Sequence, residues 1–351
     1  MAISLSSVDA VASRIRRAQR VDFGAYVLHP GDIERALTAA AEHGARVHVI
    51  LQRDPYRGGA GERHLNRDAA RVLRAAGATV TLLDRHRMPF HLKAAVCDGT
   101  AFLDDRNWAA DEREIVLSDD TPRDVAAVRS ALRGAGSVDG AIATRKDAAL
   151  RLEAQQIDAA RDAPVLVETE AFGAGPISAA LWRHARGGAP TTLLVAAREA
   201  KYKPKERALL NALRADGVVV RETAVNEKLM LAGDAAWVGS ANATFAGGRA
   251  GAQIDWGLVT HDSAVVAAVR AGLQRDLTRA VREDSLRDSR PDSLREQASR
   301  SGAHAGVRSG TAPAGWASGC RRAGGGIAAR SRGASADRRF DSPGADLSRA
   351  T

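Results

Sequence analysis

The feature that most constrains the fold of this chain is an internal duplication. The stretch HLKAAVCDGTAFLDDRN at residues 91–107 has a second copy, NEKLMLAGDAAWVGSAN, at residues 226–242. At this offset of 135 positions, Lys93 aligns with Lys228. Repetition inside one chain indicates that one structural unit has been copied. We therefore expect two similar halves.

The apolar periodicity supports the same division, because each half alternates helices with short strands. Alternation of this kind is typical of an α/β fold, in which helices cover a parallel or mixed sheet. In the first half the pattern predicts helices at 9–20, 33–43 and 66–76 and strands at 25–28, 47–51 and 79–83. In the second half it predicts helices at 146–161, 176–186 and 204–215 and strands at 165–170, 192–196 and after Gly217.

These patterns divide the chain into four segments. Residues 1–120 are predicted to form the first half, residues 121–145 a connection and residues 146–284 the second half. From about residue 285 to residue 351, Gly, Ser, Ala and Arg dominate without periodicity. Such a composition predicts a disordered basic tail.

Charge and cysteine content limit the functional classes only weakly. The net charge is +9, but the tail alone contains 12 arginines against 6 acidic residues, so basicity says little about what the folded part binds. Cys97 and Cys320 lie in unlike contexts, which argues against a disulfide framework. The sequence shows neither a long apolar run nor the apolar core of a signal peptide, which predicts a cytoplasmic protein.

The polar residues of the two copies suggest a site for a phosphodiester. Residues two apart on a strand face the same side, so His91 and Lys93 are predicted to point together, as are Asn226 and Lys228. Two such strands meeting at a pseudo-twofold axis would build one composite pocket. Cleaving a phosphodiester anion requires a nucleophile, an acid for the leaving oxygen and positive charge around the phosphoryl oxygens.

The first copy resembles the signature of the phospholipase D superfamily. That signature reads His-x-Lys-x4-Asp, followed shortly by Gly-Ser-x-Asn, and it occurs twice per active site. His91, Lys93 and Asp98 match its first part in full, but Asp105 stands where the family has serine. Asp98 could instead only cap the turn that it forms with Gly99. The resemblance covers roughly residues 9–275.

The second copy departs from the signature in the opposite way. Ser240 and Asn242 belong to an intact Gly-Ser-x-Asn, but Asn226 replaces the histidine and Gly233 the aspartate. Asn226 cannot act as an acid, so another group would have to protonate the leaving oxygen. Asp105 would repel a bound phosphate unless it pairs with Arg106 or turns away.

The resemblance implies a mechanism and a role for each matching residue. His91 would attack phosphorus to form a phosphohistidine, and no metal or cofactor would be needed. Family members also carry acidic residues that orient a histidine, and Glu114 and Asp255 are the candidates here. The phosphoryl oxygens would be held by Lys93, Lys228, Asn107, Asn242 and Ser240, although the two asparagines could instead be turn residues.

Three functions remain open at this stage. The first is phospholipase D-type hydrolysis or phosphatidyl transfer, in a site that needs no oligomer because one chain holds both motifs. The second is a catalytically impaired protein that binds phosphodiesters, and the third is a metal-independent nuclease of the same superfamily. Phospholipid is favoured over nucleic acid as the substrate, with peripheral contact to a membrane.

Overall fold

Two seven-stranded sheets, one in each half of the chain, form the framework of the computed structural model. The structure describes residues 3–55, 62–109, 113–136, 141–196, 203–224, 227–244 and 252–288. These residues all belong to one compact unit, Met1–Arg290. Asn226 and the predicted disordered tail beyond residue 288 lie outside the described residues.

The first sheet contains the first seven strands in the order β1-β7-β6-β5-β2-β3-β4. Its strands are β1 (Ser4–Ser6), β2 (Arg20–Ala25), β3 (Arg46–Gln52), β4 (Thr79–Leu83), β5 (Ala94–Cys97), β6 (Thr100–Asp104) and β7 (Val116–Asp119). Its helices are α1 (Val8–Arg17), α2 (Asp32–Glu42), α3 (Glu62–Ala75) and α4 (Pro122–Ala131). The strands β2, β3 and β4 are parallel, and the other pairs are antiparallel.

The second sheet has the order β11-β10-β9-β12-β13-β14-β8. Its strands are β8 (Ile142–Arg145), β9 (Val165–Thr169), β10 (Thr191–Ala196), β11 (Val219–Thr223), β12 (Leu229–Ala232), β13 (Ala235–Gly239) and β14 (Ile254–Thr260). Its helices are α5 (Lys146–Ala159), α6 (Pro176–Arg186), α7 (Pro204–Ala215) and α8 (Ser263–Asp288). Along the described ranges, no helix combines the length and apolar character needed to cross a membrane.

The two sheets have the same topology. Reading the second order from its other end gives that of the first with each strand number raised by seven. The predicted α/β class, with a mixed sheet in each of two similar halves, is therefore confirmed. Strand β8 falls within the predicted connection 121–145 and forms an edge of the second sheet.

The start of the first half differs from the sequence prediction. The predicted helix 9–20 ends at Arg17, and the predicted strand 25–28 is replaced by β2, which starts five residues earlier at Arg20. The pattern misled because β2 carries a buried charge: Asp22 is 4% exposed and pairs with Arg20 and Arg129. A charged residue in a central strand hides the apolar run that predicts one.

The two halves share a hydrophobic core. Phe90 and Leu92 of the first half lie in one buried cluster with Leu229 and Trp256 of the second half. The indole N–H of Trp256 also donates a hydrogen bond of 2.9 Å to the backbone oxygen of Asp104. Each half has a further core beneath its own helices. Because burial is shared, the halves fix each other's positions and can build one site between them.

Candidate active site

His91 lies just before β5 and is held by the backbone of the other half. Its N–H donates to the carbonyl oxygen of Ile254 at 2.8 Å, and the N–H of Ile254 donates to the carbonyl oxygen of Pro89 at 3.0 Å. Phe90 and Ile254 form a parallel bridge between the halves. The position of the candidate nucleophile is therefore set by the contact between the two copies.

Asp255, on β14, is the carboxylate that contacts His91. Its Oδ1 is 3.1 Å from His91 Nδ1, and its side chain is wholly buried. Ser240 donates its hydroxyl to the same oxygen, Gln253 donates to Oδ2 at 2.8 Å, and the N–H of Trp256 donates to the serine oxygen at 3.1 Å. With its proton on Nδ1 and donated to Asp255, His91 keeps a lone pair on Nε2 for attack.

Lys93 brings its ammonium group against the imidazole. Its Nζ lies 2.9 Å from His91 Nδ1, 3.0 Å from Nε2 and 3.0 Å from the His91 carbonyl oxygen. Tyr26, which follows β2, packs edge-on against the imidazole at 4.7 Å between ring centroids, and Lys93 Nζ is 5.8 Å from the same tyrosine ring. The sequence analysis did not identify Tyr26, because a single aromatic residue after a strand carries no catalytic pattern.

Lys228 enters from the second half together with Asn242. Lys228 Nζ is 3.6 Å from Glu170 Oε2, and the amide of Asn242 donates to the same oxygen at 3.4 Å. The lysine side chain is 3% exposed and that of the glutamate 39%. The sequence analysis missed Glu170, although a glutamate directly after β9 was a usable signal, since strand ends often carry functional residues.

Burial and neighbouring charge shift the titration of this cluster. Burial, with the nearby charge of Lys228, lowers the pKa of Lys93 to about 7. Burial and the charge of Lys93 also lower the pKa of His91. Burial opposes ionisation of Asp255 and Glu170, but His91 and the lysines outweigh it and hold the pKa of both carboxyls below the usual value. At pH 7 these shifts favour a neutral imidazole and ionised carboxylates, while Lys93 is close to its midpoint of titration.

Asp98 lies in a turn, at the opposite end of β5 from His91. It joins β5 to β6 with Gly99, and its Oδ1 accepts hydrogen bonds from the N–H groups of Gln19 at 3.1 Å and Arg20 at 3.0 Å. Its φ of 52° is left-handed, as is the φ of 62° at its counterpart Gly233. Asp98 therefore ties the turn between β5 and β6 to the start of β2, and the structure does not bring it to the cluster around His91.

Asn107 also holds a loop. Its side-chain oxygen accepts a hydrogen bond of 3.3 Å from the N–H of Val27, beside Tyr26. The asparagine thus fixes the loop that carries the tyrosine, which agrees with the turn-residue alternative. Its role in holding phosphate stays a prediction.

Glu114 contacts aspartates of its own half. It forms a side-chain hydrogen bond with Asp104, and its Oε1 accepts from the N–H of Ala109 at 2.6 Å. Asp105 is fully buried, its Oδ1 accepts from the N–H of Ile115 at 3.0 Å, and burial raises its pKa to about 7. Asp105 Oδ1 is therefore held by the backbone, and among the nearby charges that of Lys228 acts most strongly on this carboxyl. Its effect on a bound phosphate stays a prediction.

The structure thus brings six of the predicted site residues together across the two halves: His91, Lys93, Lys228, Ser240, Asn242 and Asp255. Asn226 lies outside the described residues. Within the part of the chain that the structure describes, the one group of three side chains spaced to hold a metal is Glu168, Glu227 and Asp276, which does not include His91.

Comparison with known proteins identifies the fold but no family. No protein-family model matches the sequence, and no curated protein matches it. Polyphosphate kinase from Porphyromonas gingivalis has a similar structure, with a TM-score of 0.55 and 14% identity over 79% of this chain. This chain spans only 47% of that protein. At this identity the likeness concerns the fold alone.

Two further solved structures match smaller parts of the chain. Nuc from Salmonella typhimurium, described as a phospholipase D family member, matches 37% of this chain and 90% of its own at 20% identity, with a TM-score of 0.30. NucT from Helicobacter pylori matches 37% of this chain and 92% of its own at 19% identity, with a TM-score of 0.31. Each match covers little more than one third of this chain.

Proposed function

We propose that this chain is a phosphodiesterase of the phospholipase D type, in which His91 is the nucleophile. The observation that carries the proposal is the contact of His91 with Asp255 on one side and Lys93 on the other, with Lys228 close by from the second half. A buried carboxylate that accepts the proton of one imidazole nitrogen leaves the lone pair of the other for attack, once the Lys93 ammonium, 3.0 Å from that nitrogen, turns to the substrate phosphate. Two lysines supply the positive charge that a phosphodiester anion needs.

The first chemical step transfers the phosphoryl group to the protein. The Nε2 lone pair of His91 forms a bond to phosphorus, the bond from phosphorus to the leaving oxygen breaks, and that oxygen takes up a proton from solvent, since Asn226 cannot donate one. The imidazole becomes positively charged as the bond forms, and the Asp255 carboxylate stabilises this charge. Lys93 and Lys228 offset the negative charge on the phosphoryl oxygens.

The second step returns the imidazole to its resting form. A water or an alcohol loses a proton, its oxygen bonds to phosphorus, and the bond between phosphorus and His91 breaks. We assign Glu170 as the base of this step, because it lies against Lys228 and Asn242. Its pKa, despite burial, is held low by Lys228, so the carboxylate is ionised and can accept a proton, but it is a weak base. The protonated glutamate can then give up its proton to solvent, since its side chain is 39% exposed.

A second candidate function is binding of phosphodiesters without turnover. It is favoured by the second motif, in which Asn226 replaces the histidine and leaves no imidazole to protonate the leaving oxygen. In this case Lys93 and Lys228 would hold phosphate, and His91 would serve only as a hydrogen-bonding group. Phospholipid is the substrate class we propose for either function, ahead of nucleic acid.

A single panel of assays tests the proposal. The full chain is incubated with phosphatidylcholine, cardiolipin, bis-p-nitrophenyl phosphate and single-stranded DNA, each with and without EDTA. His91→Ala is assayed in parallel with His43→Ala, which changes an exposed histidine at the end of α2. We expect EDTA-resistant turnover of at least one substrate in the wild type and in His43→Ala, and none in His91→Ala.

Two outcomes would contradict the proposal. Full activity in His91→Ala would mean that His91 is not the nucleophile. Binding of the phosphodiesters without turnover by any variant would leave the binding protein as the function. Turnover of DNA alone would keep the mechanism and replace phospholipid by nucleic acid.

A further inference from the structure

Three buried carboxyl groups lie together beside the candidate active site. Glu168 is on β9, Glu227 precedes β12 and Asp276 is on α8. One carboxylate oxygen from each lies within 4.8 Å of the others, and the residues are only 1%, 1% and 2% exposed. Glu227 directly precedes Lys228 in the chain, so the carboxyl cluster lies next to a lysine that we propose to bind phosphate.

The carboxyl cluster has few of the hydrogen bonds that buried acidic groups normally make. Neither carboxylate oxygen of Glu227 has a hydrogen-bond partner, and the same is true of Glu168 Oε2 and Asp276 Oδ2. Glu168 and Asp276 share a side-chain hydrogen bond, and Glu168 Oε1 is also 3.5 Å from the hydroxyl of Thr223. Buried carboxyl groups without partners are strongly unfavourable unless they bind protons or a metal ion.

The first half shows that the fold itself does not require carboxyl groups here. In the strand pairing, Glu168 occupies the position that Gly24 has in the first half. At the offset of 135 positions, Glu227 occupies that of Leu92, which is fully buried in the shared core. Phe90 packs against Gly24 and helps to fill this space. The acidic residues therefore replace well-packed apolar contacts, which points to binding of a ligand.

The surroundings of the carboxyl cluster are mixed in charge. Asp105 adds a fourth acidic group nearby, and one of its oxygens is also buried without a hydrogen-bond partner. Positive charge comes from Arg106, Arg113, Arg275, Arg279 and Lys228. Carboxylate oxygens are hard ligands that suit Mg²⁺, Mn²⁺ and Ca²⁺, whereas copper and zinc prefer nitrogen and sulfur.

We propose that Glu168, Glu227 and Asp276 bind one divalent cation of the Mg²⁺ or Mn²⁺ class. The cation would bridge β9, the segment before β12 and α8, and would hold Lys228 in place from behind. His91 is not among the proposed ligands of the cation, so the phosphodiester chemistry does not pass through the metal. The proposal does not depend on the enzyme's turnover, because binding itself is the property that we infer.

Protons compete with the cation for the same oxygens. Burial, with the charges of Asp105 and Asp276, raises the pKa of Glu227 to about 8, and burial raises the pKa of Glu168 and Asp276 as well. Cation binding should therefore strengthen as the pH rises through about 8 and should release protons. Proton release is measured as a dependence of the calorimetric heat on the ionisation enthalpy of the buffer.

The test uses the full chain, stripped with EDTA and dialysed, and titrated with Mn²⁺ while the free ion is followed by electron paramagnetic resonance. Glu227→Gln removes a proposed ligand at constant volume. Glu153→Gln is the matched control, because Glu153 is a buried carboxyl of α5 whose pKa is also raised by burial, outside the carboxyl cluster. His91→Ala is a second control, since it removes the proposed nucleophile and leaves the cluster intact.

We expect one Mn²⁺ per chain in the wild type, Glu153→Gln and His91→Ala, and an affinity at least about tenfold weaker in Glu227→Gln. Thermal unfolding provides a second measurement: Mn²⁺ should raise the melting temperature of the wild type but not that of Glu227→Gln. Absence of binding to the wild type by Mn²⁺, Mg²⁺ and Ca²⁺ at millimolar concentration and pH 8.5 would overturn the proposal. Equal affinity in Glu227→Gln and Glu153→Gln would overturn it too.

Discussion

The two halves of this protein share one backbone arrangement but carry different side chains at matching positions. The N–H of Asp104 donates to the carbonyl of Lys93 at 3.1 Å, and at the matching positions Gly239 donates to Lys228 at 3.2 Å. Yet the first half carries the histidine, whereas the second half carries the serine that contacts Asp255. One composite site needs only one copy of each group, so each half was free to lose what the other retained.

The same divergence appears one layer behind the site. Ser240 accepts a hydrogen bond of 3.1 Å from the residue after Asp255, and Asp105 accepts one of 3.0 Å from the residue after Glu114. In the second half this arrangement supports a histidine, because Asp255 reaches across to His91. In the first half Glu114 contacts the buried side chain of Asp104 instead of a histidine. The fold therefore preserves the positions of the partners but not their chemistry.

The largest difference between the halves should appear when their two acidic residues are neutralised. We expect Asp255→Asn to lower kcat by about 10³- to 10⁴-fold, because it releases Nδ1 of His91 and removes the charge that supports the imidazolium. Glu114→Gln should change kcat by less than about tenfold, since Glu114 contacts Asp104 instead of a histidine. Steady-state kinetics on bis-p-nitrophenyl phosphate measures both.

The pH profile separates a positioning role of Asp255 from a structural one. The nucleophile must be neutral, so activity should rise with pH through the pKa of His91. That pKa is lowered by burial and partly restored by Asp255. Without the carboxylate, the residual acid limb should move to lower pH. A loss of rate with an unchanged acid limb would mean that the substitution only disturbs packing.

Restoring a histidine in the second half should partly remove the asymmetry. Asn226→His should raise turnover of an alkyl phosphodiester by about 10- to 100-fold, because the imidazole can protonate a poor leaving group. The rate with a p-nitrophenolate leaving group should change much less. The double variant with Asp105→Ser should gain more, because Asp105 is close enough to feel the charge of Lys228 and its own negative charge would oppose a bound phosphate. No gain with either leaving group, while phosphodiester still binds, would favour the binding protein.

The two lysines should differ in how their effect depends on pH. Burial, with the charge of Lys228, brings the pKa of Lys93 to about 7, so affinity for phosphate should fall by up to about tenfold per pH unit above 7 as Lys93 loses its proton. Lys93→Met should abolish this decline. Lys228→Met should weaken binding over the whole range, and removing its charge should move the decline to higher pH. Calorimetric titration with dimethyl phosphate, a phosphodiester whose charge does not change from pH 6 to 9, compares them, and a decline that persists in Lys93→Met would refute the assignment.

The smallest effect is expected at the turns that the two motifs share. Asp98→Ala should lower the free energy of unfolding by about 1–3 kcal/mol, because it removes two hydrogen bonds and because alanine tolerates the left-handed conformation less well than aspartate. Gly233→Ala should cost about 1–2 kcal/mol, from the conformation alone. Urea unfolding measures both, and the catalytic rate should not change. A large loss of activity in a fully folded Asp98→Ala would mean that Asp98 takes part in catalysis.

Several features of the fold were predictable because they depend on local pattern. Helical periodicity located α2 and α7 within a residue, and the glycine that closes α2 has a φ of 88° at Gly44. The strand β2 was misplaced, because Asp22 is buried with arginine partners that only the folded chain brings to it. Pattern reading works where a side chain's surroundings follow from its own neighbours in sequence.

The sequence by itself determined the duplication, the α/β class and the set of side chains that we propose to bind a phosphodiester. Tertiary structure alone decided that Asp255 contacts His91, that Asp98 is bound to the start of β2, and that Glu170 lies against Lys228. It also gathered Glu168, Glu227 and Asp276, which come from three separate elements. The physical reason is that these contacts join residues of separate elements, 78 positions apart for Asp98 and Arg20 and 164 for His91 and Asp255, and no local periodicity records which of them meet.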